Sequence, residues 1–540
     1  MTDSTGYYCP APALPADAPP LTADLCIYTA NAAGVVAAVE ARRRGLSVVL
    51  LNPARQLGGL TTGGLSFTDL GNREAVGGLA REFYRQLGDH YGVAEEWCFE
   101  PHVAEQTLTR WLHEAGVGVH HRHFVAGVSV ERNRIVELVT TSGLRVRAAY
   151  FMDCSYEGDL MAAAGVSHYV GRESALTYGE KFNGQQIHAS HQFSAPVDPY
   201  VIPGDPASGL LPGIDPDDRF IPGAADHRMQ AYNFRMCLTR SPELRVPFAR
   251  PAGYDRQQYE LLARYLATGW NQVFQKFDRI RGDKTDTNNH GAVSTDYIGG
   301  NWGWPGGDYA TREALFQRHA TYQQGYLWFL ANDSAVPAPI REAYGQWGLA
   351  GDEFGATGHW PHQLYIREGR RMIGDVVMTE KHCLSRAEET DVVGLGAYQM
   401  DSHQCRRLVH AGIVLNEGDV QIKLPKPYGI SYRSIIPRRG ETENLLVPVA
   451  VSASHIAFGS IRMEPVFMIL AQSATIATSL CLRDGRRAVQ TLDYATLRPE
   501  LEKAGQVVSW DPGRLNPMDG NPERRDIVPE VALVREEAES

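Results

Sequence analysis

The sequence predicts an α/β protein with two domains, one of which is assembled from two separate stretches of the chain. Three observations predict this arrangement. Residues 24–51 have the pattern of a buried strand, a helix and a second buried strand. Residues 169–440 change character and become rich in Pro, Gly, Trp and Tyr. An apolar strand pattern and a long apolar helix pattern then return at residues 443–482, so the second domain is inserted into the first.

The first of these stretches has the order of a nucleotide-binding βαβ unit. Residues 25–28 form a short apolar run of the kind found in buried parallel strands. Residues 33–44 are predicted to be helical, with small side chains that allow close packing on a sheet and three arginines in the last turn. The turn before them keeps only Gly34, the last glycine of the Gly-x-Gly-x-x-Gly pattern. We therefore predict a Rossmann-like domain. Because the glycine pattern is incomplete, the prediction that a nucleotide binds at this turn depends on other residues.

Later patterns extend this outline to the whole chain. Amphipathic patterns at residues 74–87 and 105–115 predict two helices, and residues 117–152 alternate as a β-meander does. Residues 465–482 predict a long apolar helix. The predicted segments are an irregular N-terminal arm (1–23), the first part of the nucleotide-binding domain (24–168), an α+β substrate domain (169–440), the second part of the nucleotide-binding domain (441–497) and a polar C-terminal tail (498–540).

Length and charge limit the class of protein. A chain of 540 residues is too long for one compact core, and 43% hydrophobic with 21% charged residues is ordinary for a globular protein. The formal net charge of −11 argues against a nucleic-acid or anionic-membrane partner, which would favour a basic surface. We therefore expect a small-molecule substrate and no nucleic-acid or membrane partner. The sequence leaves the formation of a homo-oligomer open.

The cysteines and the N-terminus favour a cytoplasmic protein. The 8 cysteines include no Cys-x-x-Cys motif and no clustered spacing, which fits reduced thiols better than a disulfide framework. The first residues are polar and then rich in Ala and Pro, without the basic and apolar regions of a signal peptide. No apolar run is long enough to predict a membrane-spanning segment.

Several short blocks, in a fixed order, resemble one known family. They are Gly-Gly-Leu-Thr-Thr-Gly-Gly at 58–64, Tyr-Glu-Gly-Asp at 156–159, Ala-Tyr-Asn-Phe-Arg at 231–235, Gly-His-Trp-Pro-His-Gln-Leu-Tyr at 358–365, Met-Asp-Ser-His at 400–403, Ser-Tyr-Arg-Ser-Ile at 431–435 and Gly-Ser-Ile-Arg-Met-Glu-Pro at 459–465. Together they resemble the bacterial FAD-dependent oxidoreductase family, a branch of the glutathione-reductase-like flavoproteins. The resemblance covers residues 24–497. It implies an oxidoreductase with FAD as the cofactor, an FAD-binding domain in two parts and an inserted substrate domain.

Three cofactor-facing positions depart from the family pattern. Thr29 and Ala471 stand where the family has glycine, and Asn52 stands where it has an acidic residue for the adenosine ribose. A β-branched residue at a glycine-type turn costs about 1–2 kcal/mol, and an amide in place of a carboxylate loses about 1–2 kcal/mol of hydrogen bonding. Set against about −12 kcal/mol for a nanomolar ligand, these losses weaken FAD binding toward the micromolar range. FAD stays the expected cofactor, with weakened or lost FAD as the alternative.

In the flavin interpretation, several parts of the chain bind FAD. Main-chain N–H groups at the start of the first helix would bind the pyrophosphate, helped by the helix dipole. The glycines of the 58–64 run would let the main chain approach the flavin ring. The predicted contacts are Ala32, Ala33 and Gly34 at the pyrophosphate, Asn52 at the ribose, Arg55 at a phosphate, Gly59, Leu60, Thr61, Thr62 and Gly63 at the ribityl chain and ring, Phe124 and Val125 at the adenine, Asp153 at a ribityl hydroxyl, and Gly459, Ser460 and Pro465 at the helix terminus facing the ring.

The catalytic residues follow from the chemistry of hydride transfer. A base must take the proton of the substrate's hydroxyl or amine, and histidine is the commonest base at neutral pH. The predicted catalytic residues are His403, His455, His362 and Arg462, with His359 and Arg367 as further candidates. For each of these side chains, and for each cofactor contact above, a structural role is the competing interpretation. No metal is expected, because no acidic or thiol motif completes a site with His359 and His362.

These observations lead to three hypotheses. The first is an FAD-dependent oxidoreductase that oxidises a small polar molecule, a sugar-like alcohol or an amine, by hydride transfer to flavin. The second keeps the fold but replaces the redox cycle with a lyase or isomerase reaction, as the departures at Thr29, Asn52 and Ala471 suggest. The third is a non-catalytic binding protein.

Overall fold

The computed structural model describes residues 6–485 and 487–511. The helices are α1 (Ala32–Arg43), α2 (Gly78–Tyr91), α3 (Pro101–Glu114), α4 (Asp159–Ala163), α5 (Ala175–Tyr178), α6 (Glu260–Ala267), α7 (Tyr309–Asn332), α8 (Ala338–Tyr344), α9 (Glu380–Cys383), α10 (His455–Ile461), α11 (Glu464–Arg483) and α12 (Tyr494–Lys503). The strands are β1 (Leu21–Tyr28), β2 (Val48–Asn52), β3 (Val119–His121), β4 (Val125–Glu131), β5 (Arg134–Thr140), β6 (Arg145–Asp153), β7 (His168–Tyr169), β8 (Met236–Thr239), β9 (Arg245–Val246), β10 (Phe277–Ile280), β11 (Lys284–Thr287), β12 (Gly348–Ala350), β13 (Arg371–Met372), β14 (Val392–Gly396), β15 (Met400–Ser402), β16 (Arg406–His410), β17 (Ile413–Glu417), β18 (Val420–Ile422), β19 (Tyr428–Ser431) and β20 (Leu445–Leu446).

The main sheet has seven strands and is built around β1. Strands β3, β2, β1 and β6 lie side by side and parallel, and β5 and β4 continue the sheet in antiparallel pairing. Late in the chain, β20 joins this sheet parallel to β6, with Leu445 opposite Phe151. The α/β class and the Rossmann-like domain are therefore confirmed, and a stretch from beyond the inserted region does return to the first sheet.

Helix α1 packs against β1 and β2 of this sheet, and α11 packs on α1. Small side chains of α1 such as Ala37 and Ala41 are fully buried in the apolar core. The two helices are also joined by polar contacts: Gln472 donates to Glu40 over 3.0 Å. Within the described residues, α11 is a helix long and apolar enough to cross a membrane, but 89% of its most apolar window is buried inside the protein. Its hydropathy is therefore that of a core helix.

Two helices begin at other positions than the sequence predicted. The helix predicted from residue 74 begins at Gly78, because Asn72 caps a separate 3₁₀ turn at Arg73–Ala75. The helix predicted from residue 105 begins earlier, at Pro101, which occupies the first helical turn where its missing N–H costs nothing. Both predicted amphipathic helices are present, and local residues before each helix shift its first residue from the predicted position.

The inserted region contains a five-stranded antiparallel sheet in the order β10-β11-β8-β12-β9 and the long helix α7. Its apolar core is continuous with that of the first sheet, since one buried cluster includes Leu25, Phe329 and Met468. All eight cysteines are free thiols. The predicted tail begins inside α12, and residues 512–540 lie outside the described residues.

Candidate functional site

The turn between β1 and α1 keeps a glycine-type shape although it contains a threonine. Thr29 has φ 84°, in the left-handed region. Asn31 caps α1 by accepting a hydrogen bond from the Gly34 N–H over 2.9 Å, and its amide donates to the Cys154 carbonyl over 2.7 Å. Ala32, Ala33 and Gly34, the predicted pyrophosphate contacts, are fully buried, and the Gly34 donor is used by Asn31.

The predicted ribose contact, Asn52, has a complete set of protein partners. Its Oδ1 accepts from the Ala30 N–H over 3.2 Å, and its Nδ2 donates to the Gln56 carbonyl over 2.8 Å. Nδ2 also lies 3.3 Å from Nδ1 of His121. Asn52 is 1% exposed, so in this conformation it ties β1 to the loop after β2. The predicted phosphate contact, Arg55, lies in that loop and is exposed.

Two tyrosine side chains form hydrogen bonds with the main-chain groups that were predicted to contact adenine. The N–H of Val125 donates to Oη of Tyr28 over 3.4 Å, and its carbonyl accepts from Oη of Tyr309 over 2.8 Å. The neighbouring ring of Phe124 lies 4.9 Å from that of Tyr309 and 5.4 Å from that of Tyr8. In this conformation tyrosine side chains make the contacts with Phe124 and Val125 that the sequence predicted for adenine.

The glycine-rich run at 58–64 packs against protein atoms. The Leu60 N–H donates to Oη of Tyr156 over 3.0 Å, and a Cβ at Gly59 would lie 2.5 Å from the same oxygen. A Cβ at Gly63 would likewise lie 2.5 Å from Cβ of Gln363. The hydroxyl of Thr62 donates to the Leu57 carbonyl, within the loop itself. Protein side chains therefore lie against the main chain of residues 58–64, where the sequence predicted the flavin ring.

The N-terminus of α11 carries a buried carboxyl group of its own. Glu464, in the first turn beside Pro465, accepts hydrogen bonds from Thr61 and Tyr156, each over 2.8 Å. Burial raises the pKa of Glu464 to about 7, and these two hydrogen bonds oppose the increase. The predicted contacts Gly459 and Ser460 lie in α10, where the Ser460 hydroxyl bonds Tyr428 over 2.9 Å.

Asp153 holds the chain after β6. Its Oδ1 accepts from both the N–H and the hydroxyl of Ser155, and its Oδ2 accepts from the Met161 N–H over 2.8 Å. The side chain is fully buried, and burial raises its pKa to about 6. In this conformation Asp153 shapes the turn into α4, whereas the sequence predicted a contact with a ribityl hydroxyl.

The cleft between these elements does not have room for FAD in this conformation. Its lining includes residues of the N-terminal arm, of the β1–α1 turn and of the inserted region. The space that remains is about 30 Å³. A single water needs about 10–15 Å³, whereas ligand pockets have about 300–1,000 Å³. Tyr7, Tyr8, Tyr28 and Tyr309 line this space, at the end of the cleft where the sequence predicted the adenosine of FAD.

A second cluster, beside the glycine-rich loop, brings three guanidinium groups around Tyr365. The guanidinium carbons of Arg367, Arg462 and Arg235 lie 4.6, 5.5 and 5.9 Å from the centre of its ring. Arg462 also donates to Oη of Tyr365 over 2.7 Å. Burial raises the pKa of the Tyr365 hydroxyl, and the surrounding arginines oppose that increase. We call Tyr365, these arginines and their carboxylate partners the Tyr365 cluster.

His403 joins this cluster through two aspartates. Its Nδ1 lies 2.8 Å from Asp296, and its Nε2 lies 3.4 Å from Asp401. Asp296 pairs with Arg367 over 2.9 Å, and Asp401 pairs with Arg462 over 3.1 Å. Burial alone would raise the pKa of Asp401, but His403 and Arg462 hold it well below its usual value. Two of the four predicted catalytic residues, His403 and Arg462, therefore meet at one carboxylate.

His455 lies in a separate hydrogen-bonded chain. Its Nδ1 lies 2.8 Å from Glu368, and its Nε2 lies 3.1 Å from the Ser402 hydroxyl. Burial lowers the pKa of His455 to about 3, so the ring is neutral at ordinary pH. The arrangement has the order of a serine–histidine–carboxylate triad, but Ser402 and Glu368 are fully buried and His455 is 2% exposed. In this conformation these three hydrogen-bonded side chains are shielded from solvent, and they fix Ser402, the residue before His403.

The other predicted histidines hold loops. His362 lies 3.4 Å from the Thr62 hydroxyl, and burial lowers its pKa to about 4. His359 has φ 66° and its Nδ1 lies 3.1 Å from the Glu353 carbonyl, so the two histidines do not share a helix.

One group of metal-binding side chains, Glu100, His102 and Glu353, occurs within the described residues. The ammonium group of Lys284 lies 2.7 Å from both Glu100 and Glu353. It also lies 2.7 Å from Asp352. A protein cation thus already lies among these carboxylates, and the group is not an argument for a metal.

Sequence reasoning missed the residues that fill the cleft. Tyr7 and Tyr8 lie in a segment without periodicity, and the only signal was a pair of adjacent aromatic residues in an arm otherwise rich in Ala and Pro. Tyr365 and Glu464 stood inside the family blocks, but nothing in the sequence showed which partners they meet. Such partners lie far away in the chain, as Thr61 does from Glu464.

Comparison with known proteins decides the family. A sequence model described as FAD dependent oxidoreductase matches residues 24–501. The chain belongs to this family. Membership confirms the predicted family and enzyme class and supports FAD as the cofactor of this FAD-dependent oxidoreductase. No curated protein matches the chain.

Solved structures similar to this FAD-dependent oxidoreductase match only part of it. THI4 of Thermovibrio ammonificans is 18% identical with a TM-score of 0.23, over 28% of this chain and 66% of that chain. L-proline dehydrogenase from P. horikoshii is 13% identical with a TM-score of 0.23, over 29% and 59%. The 3-ketosteroid-delta4-(5alpha)-dehydrogenase from Rhodococcus jostii RHA1 is 15% identical with a TM-score of 0.19, over 27% and 49%. The chain thus spans about half to two thirds of the length of these proteins.

Proposed function

We propose that this oxidoreductase acts on a small, uncharged or cationic polar molecule, a sugar-like alcohol or an amine, at the Tyr365 cluster. The observation that carries the proposal is a set of buried donors around one ring. Arg367 Nε and Arg462 Nε have no hydrogen-bond acceptor among the described residues, and Arg235 Nη1 has only an ion-pair contact of 3.7 Å with Asp69, which is too long for a hydrogen bond. Unpaired buried donors are costly, and the hydroxyl groups of a bound substrate would accept from them.

The charges of the cluster favour this substrate class over an anion. Its three arginines face four carboxylates, because Arg235 pairs with both Asp69 and Asp286 while Arg367 and Arg462 each pair with one aspartate. The cluster therefore has no excess of positive charge to attract a phosphate or carboxylate. A hydroxyl group both donates and accepts, so it can use arginines and aspartates together.

His403 is the residue that we assign to the substrate's proton. Oxidation of an alcohol or amine removes a proton from the heteroatom, and a base must receive it. Asp296 fixes the Nδ1 side of the ring, as an orienting carboxylate does for a catalytic histidine. Nε2, whose contact with Asp401 is longer at 3.4 Å, is the atom that would hold the proton. FAD, the cofactor that the family supports, is the electron acceptor in this proposal.

A second candidate is a redox-neutral lyase or isomerase. The filled cleft favours it, because only about 30 Å³ remains at the adenosine end in this conformation. The two candidates differ in one simple respect. Turnover by protein shown to contain no flavin would favour the redox-neutral reaction, whereas turnover proportional to bound FAD would exclude it.

The proposal is tested with the full chain, added FAD and a panel of polyols and amines. Turnover is followed with an artificial electron-accepting dye, and binding is followed separately as a ligand-induced rise in melting temperature without FAD. The His403→Gln variant is expected to lower kcat by about 10²–10⁴-fold while keeping the thermal shift, since it removes a base and leaves the arginines in place. His410→Gln, at an exposed position, is the matched control. Absence of a thermal shift with every polyol and amine would contradict the substrate class.

A further inference from the structure

Tyr7 and Tyr8, near the start of the described part of the N-terminal arm (residues 6–20), line the cofactor cleft. The ring of Tyr8 lies 5.4 Å from that of Phe124, 5.6 Å from that of Tyr309 and 6.0 Å from that of Trp304. Phe124 adjoins the main-chain groups of Val125 that Tyr28 and Tyr309 occupy. Tyr8 is thus a flat ring within a box of aromatic rings, next to the edge predicted for a purine.

Helix α7 holds this end of the arm in place. The Tyr8 N–H donates to the Glu313 carboxylate over 2.6 Å, and the ring of Tyr7 stacks on Phe316 at 4.5 Å. Oη of Tyr7 donates to Gln363 over 3.2 Å, beside the glycine-rich loop. These contacts are specific in both hydrogen bonding and ring geometry, so the arm is docked in one position.

The rest of the arm is attached at few points. The Ala11 N–H donates to the Arg122 carbonyl, and the Leu14 N–H donates to the Ser142 carbonyl, each over 2.8 Å. The side chain of Arg145 donates to the Ala18 carbonyl over 2.8 Å. Residues 12–17 are exposed, and regular structure begins only at Leu21. A segment with so few attachments can leave while the sheet stays intact.

We propose that the arm is an autoinhibitory strap: Tyr7 and Tyr8 occupy the adenosine end of the FAD cleft, and FAD binds to the form from which they have left. This reconciles membership of an FAD-dependent family with a cleft that leaves only about 30 Å³. The inference goes beyond the proposed substrate chemistry, and it holds whichever molecule is oxidised.

Mass action gives the proposal a measurable size. FAD and the tyrosines exclude each other because they need the same space, so FAD binds with an apparent affinity reduced by the fraction of open molecules. A tethered segment competes at a local concentration in the millimolar range. If the closed form is favoured roughly tenfold, removal of the tyrosines tightens FAD binding by roughly tenfold.

The test is an FAD titration, followed by flavin fluorescence, of the full chain and of two variants. One variant begins at Leu21, and the other is the full chain with Tyr7→Ser and Tyr8→Ser. Both are expected to bind FAD at least about tenfold more tightly than the natural chain. Leu14→Ser, at an exposed position of the same arm, is expected to bind FAD as the natural chain does. Unchanged or weaker FAD binding by the folded double variant would overturn the proposal, even if the truncated chain failed to fold.

Proteolysis gives a second readout on the natural chain. Chymotrypsin cleaves after aromatic residues, and the docked arm shields Tyr7 and Tyr8. Addition of FAD is expected to accelerate cleavage at these two residues, because FAD selects the form in which the arm is free. Cleavage that slows or does not change as the FAD site saturates would contradict the strap.

The failure of this inference is distinguishable from failure of the proposed function. Variants that bind FAD more tightly but oxidise no polyol or amine would leave the strap standing and remove the substrate proposal. Variants that bind FAD as the natural chain does, while turnover depends on FAD and on His403, would remove the strap and leave the substrate proposal standing.

Discussion

The carbonyl oxygen of Thr29 lies against Gly34, so close that a Cβ at residue 34 would stand 1.9 Å from it. Thr29 itself adopts φ 84°, where a β-branched residue is unfavourable by about 1–2 kcal/mol. The turn has therefore kept the shape that a glycine at residue 29 would give it. The strain and the close contact are two consequences of the same geometry.

Thr29→Gly is expected to stabilise the protein. The substitution removes about 1–2 kcal/mol of strain and adds about 0.5–1 kcal/mol of chain entropy in the unfolded state, for a net gain of about 0.5–1 kcal/mol. Urea unfolding measures the change. Thr141→Gly, an exposed threonine without positive φ, is the control and should lose stability. A loss of similar size at both positions would show that Thr29 is not strained.

Gly34→Ala is expected to destabilise the protein by about 3 kcal/mol. The new methyl group would overlap the main chain of Thr29, which cannot rotate away as a flexible side chain could. Gly127→Ala is the matched control, because a Cβ there would meet nothing within 4 Å. Thermal unfolding of the two variants compares them directly. If both melt with the natural chain, the turn is more adaptable than its geometry indicates.

Glu464 should make stability depend on pH. Burial raises its pKa from 4.5 to about 7 in the folded protein. Between these values the folded state keeps a proton that the unfolded state has released, so stability falls as the pH rises from about 4.5 to 7 and is then constant with respect to this group. Glu464→Gln should make that loss smaller by about 1–3 kcal/mol, as urea unfolding at several pH values will measure.

The matched control for this prediction is Glu342→Gln, at an exposed position. It should leave the pH dependence as it is in the natural chain. An unchanged pH dependence in Glu464→Gln would mean that the carboxyl group is ionised in the folded protein at pH 6. A steeper fall in Glu464→Gln than in the natural chain would contradict the expected sign of the effect.

The fold could be predicted because its signals are local. The apolar runs that form β1 and β2 and the long apolar pattern of α11 can each be recognised within about twenty residues, and each became the predicted element. Helix boundaries were less accurate at α2, which is preceded by a separate 3₁₀ turn that Asn72 caps, and at α3, whose first turn begins with Pro101. Residues that can begin a helix can be recognised in the sequence, but packing decides which of them does so.

The site could be predicted only in part because its contacts are not local. His403 and Asp401 are two positions apart in one family block, and the structure places Nε2 of His403 3.4 Å from the Asp401 carboxylate. His455 and Glu368 are 87 positions apart, and no sequence pattern predicts that they form a pair. The arm shows the same limit more strongly: Tyr8 meets Glu313 across 305 positions. Chemistry can be assigned to residue types, but partners require the fold.

The last prediction concerns a buried ion-pair network in the inserted region. Arg172 is fully buried and donates to Asp226 over 2.5 and 2.9 Å and to Glu417 over 2.6 and 3.0 Å. Arg172→Met removes the closest cation from both buried carboxylates and leaves them only the longer contacts with Arg228 (3.3 Å) and Arg406 (3.4 Å). This is expected to cost about 3–5 kcal/mol. Urea unfolding measures the loss, and Arg219→Met, whose ion pair is exposed, should leave the stability almost unchanged.

A triple variant separates the charge from the packing of this network. Arg172→Met combined with Asp226→Asn and Glu417→Gln removes both carboxylate charges and keeps the shapes of these two side chains, while Arg228 and Arg406 keep their ion pairs with Asp215. If the cost of the single variant comes from uncompensated buried charge, the triple variant should recover most of it, since a neutral buried group is far less costly than an ion. A triple variant as unstable as Arg172→Met would instead assign the loss to the hydrogen-bond geometry of the guanidinium, which no neutral side chain reproduces.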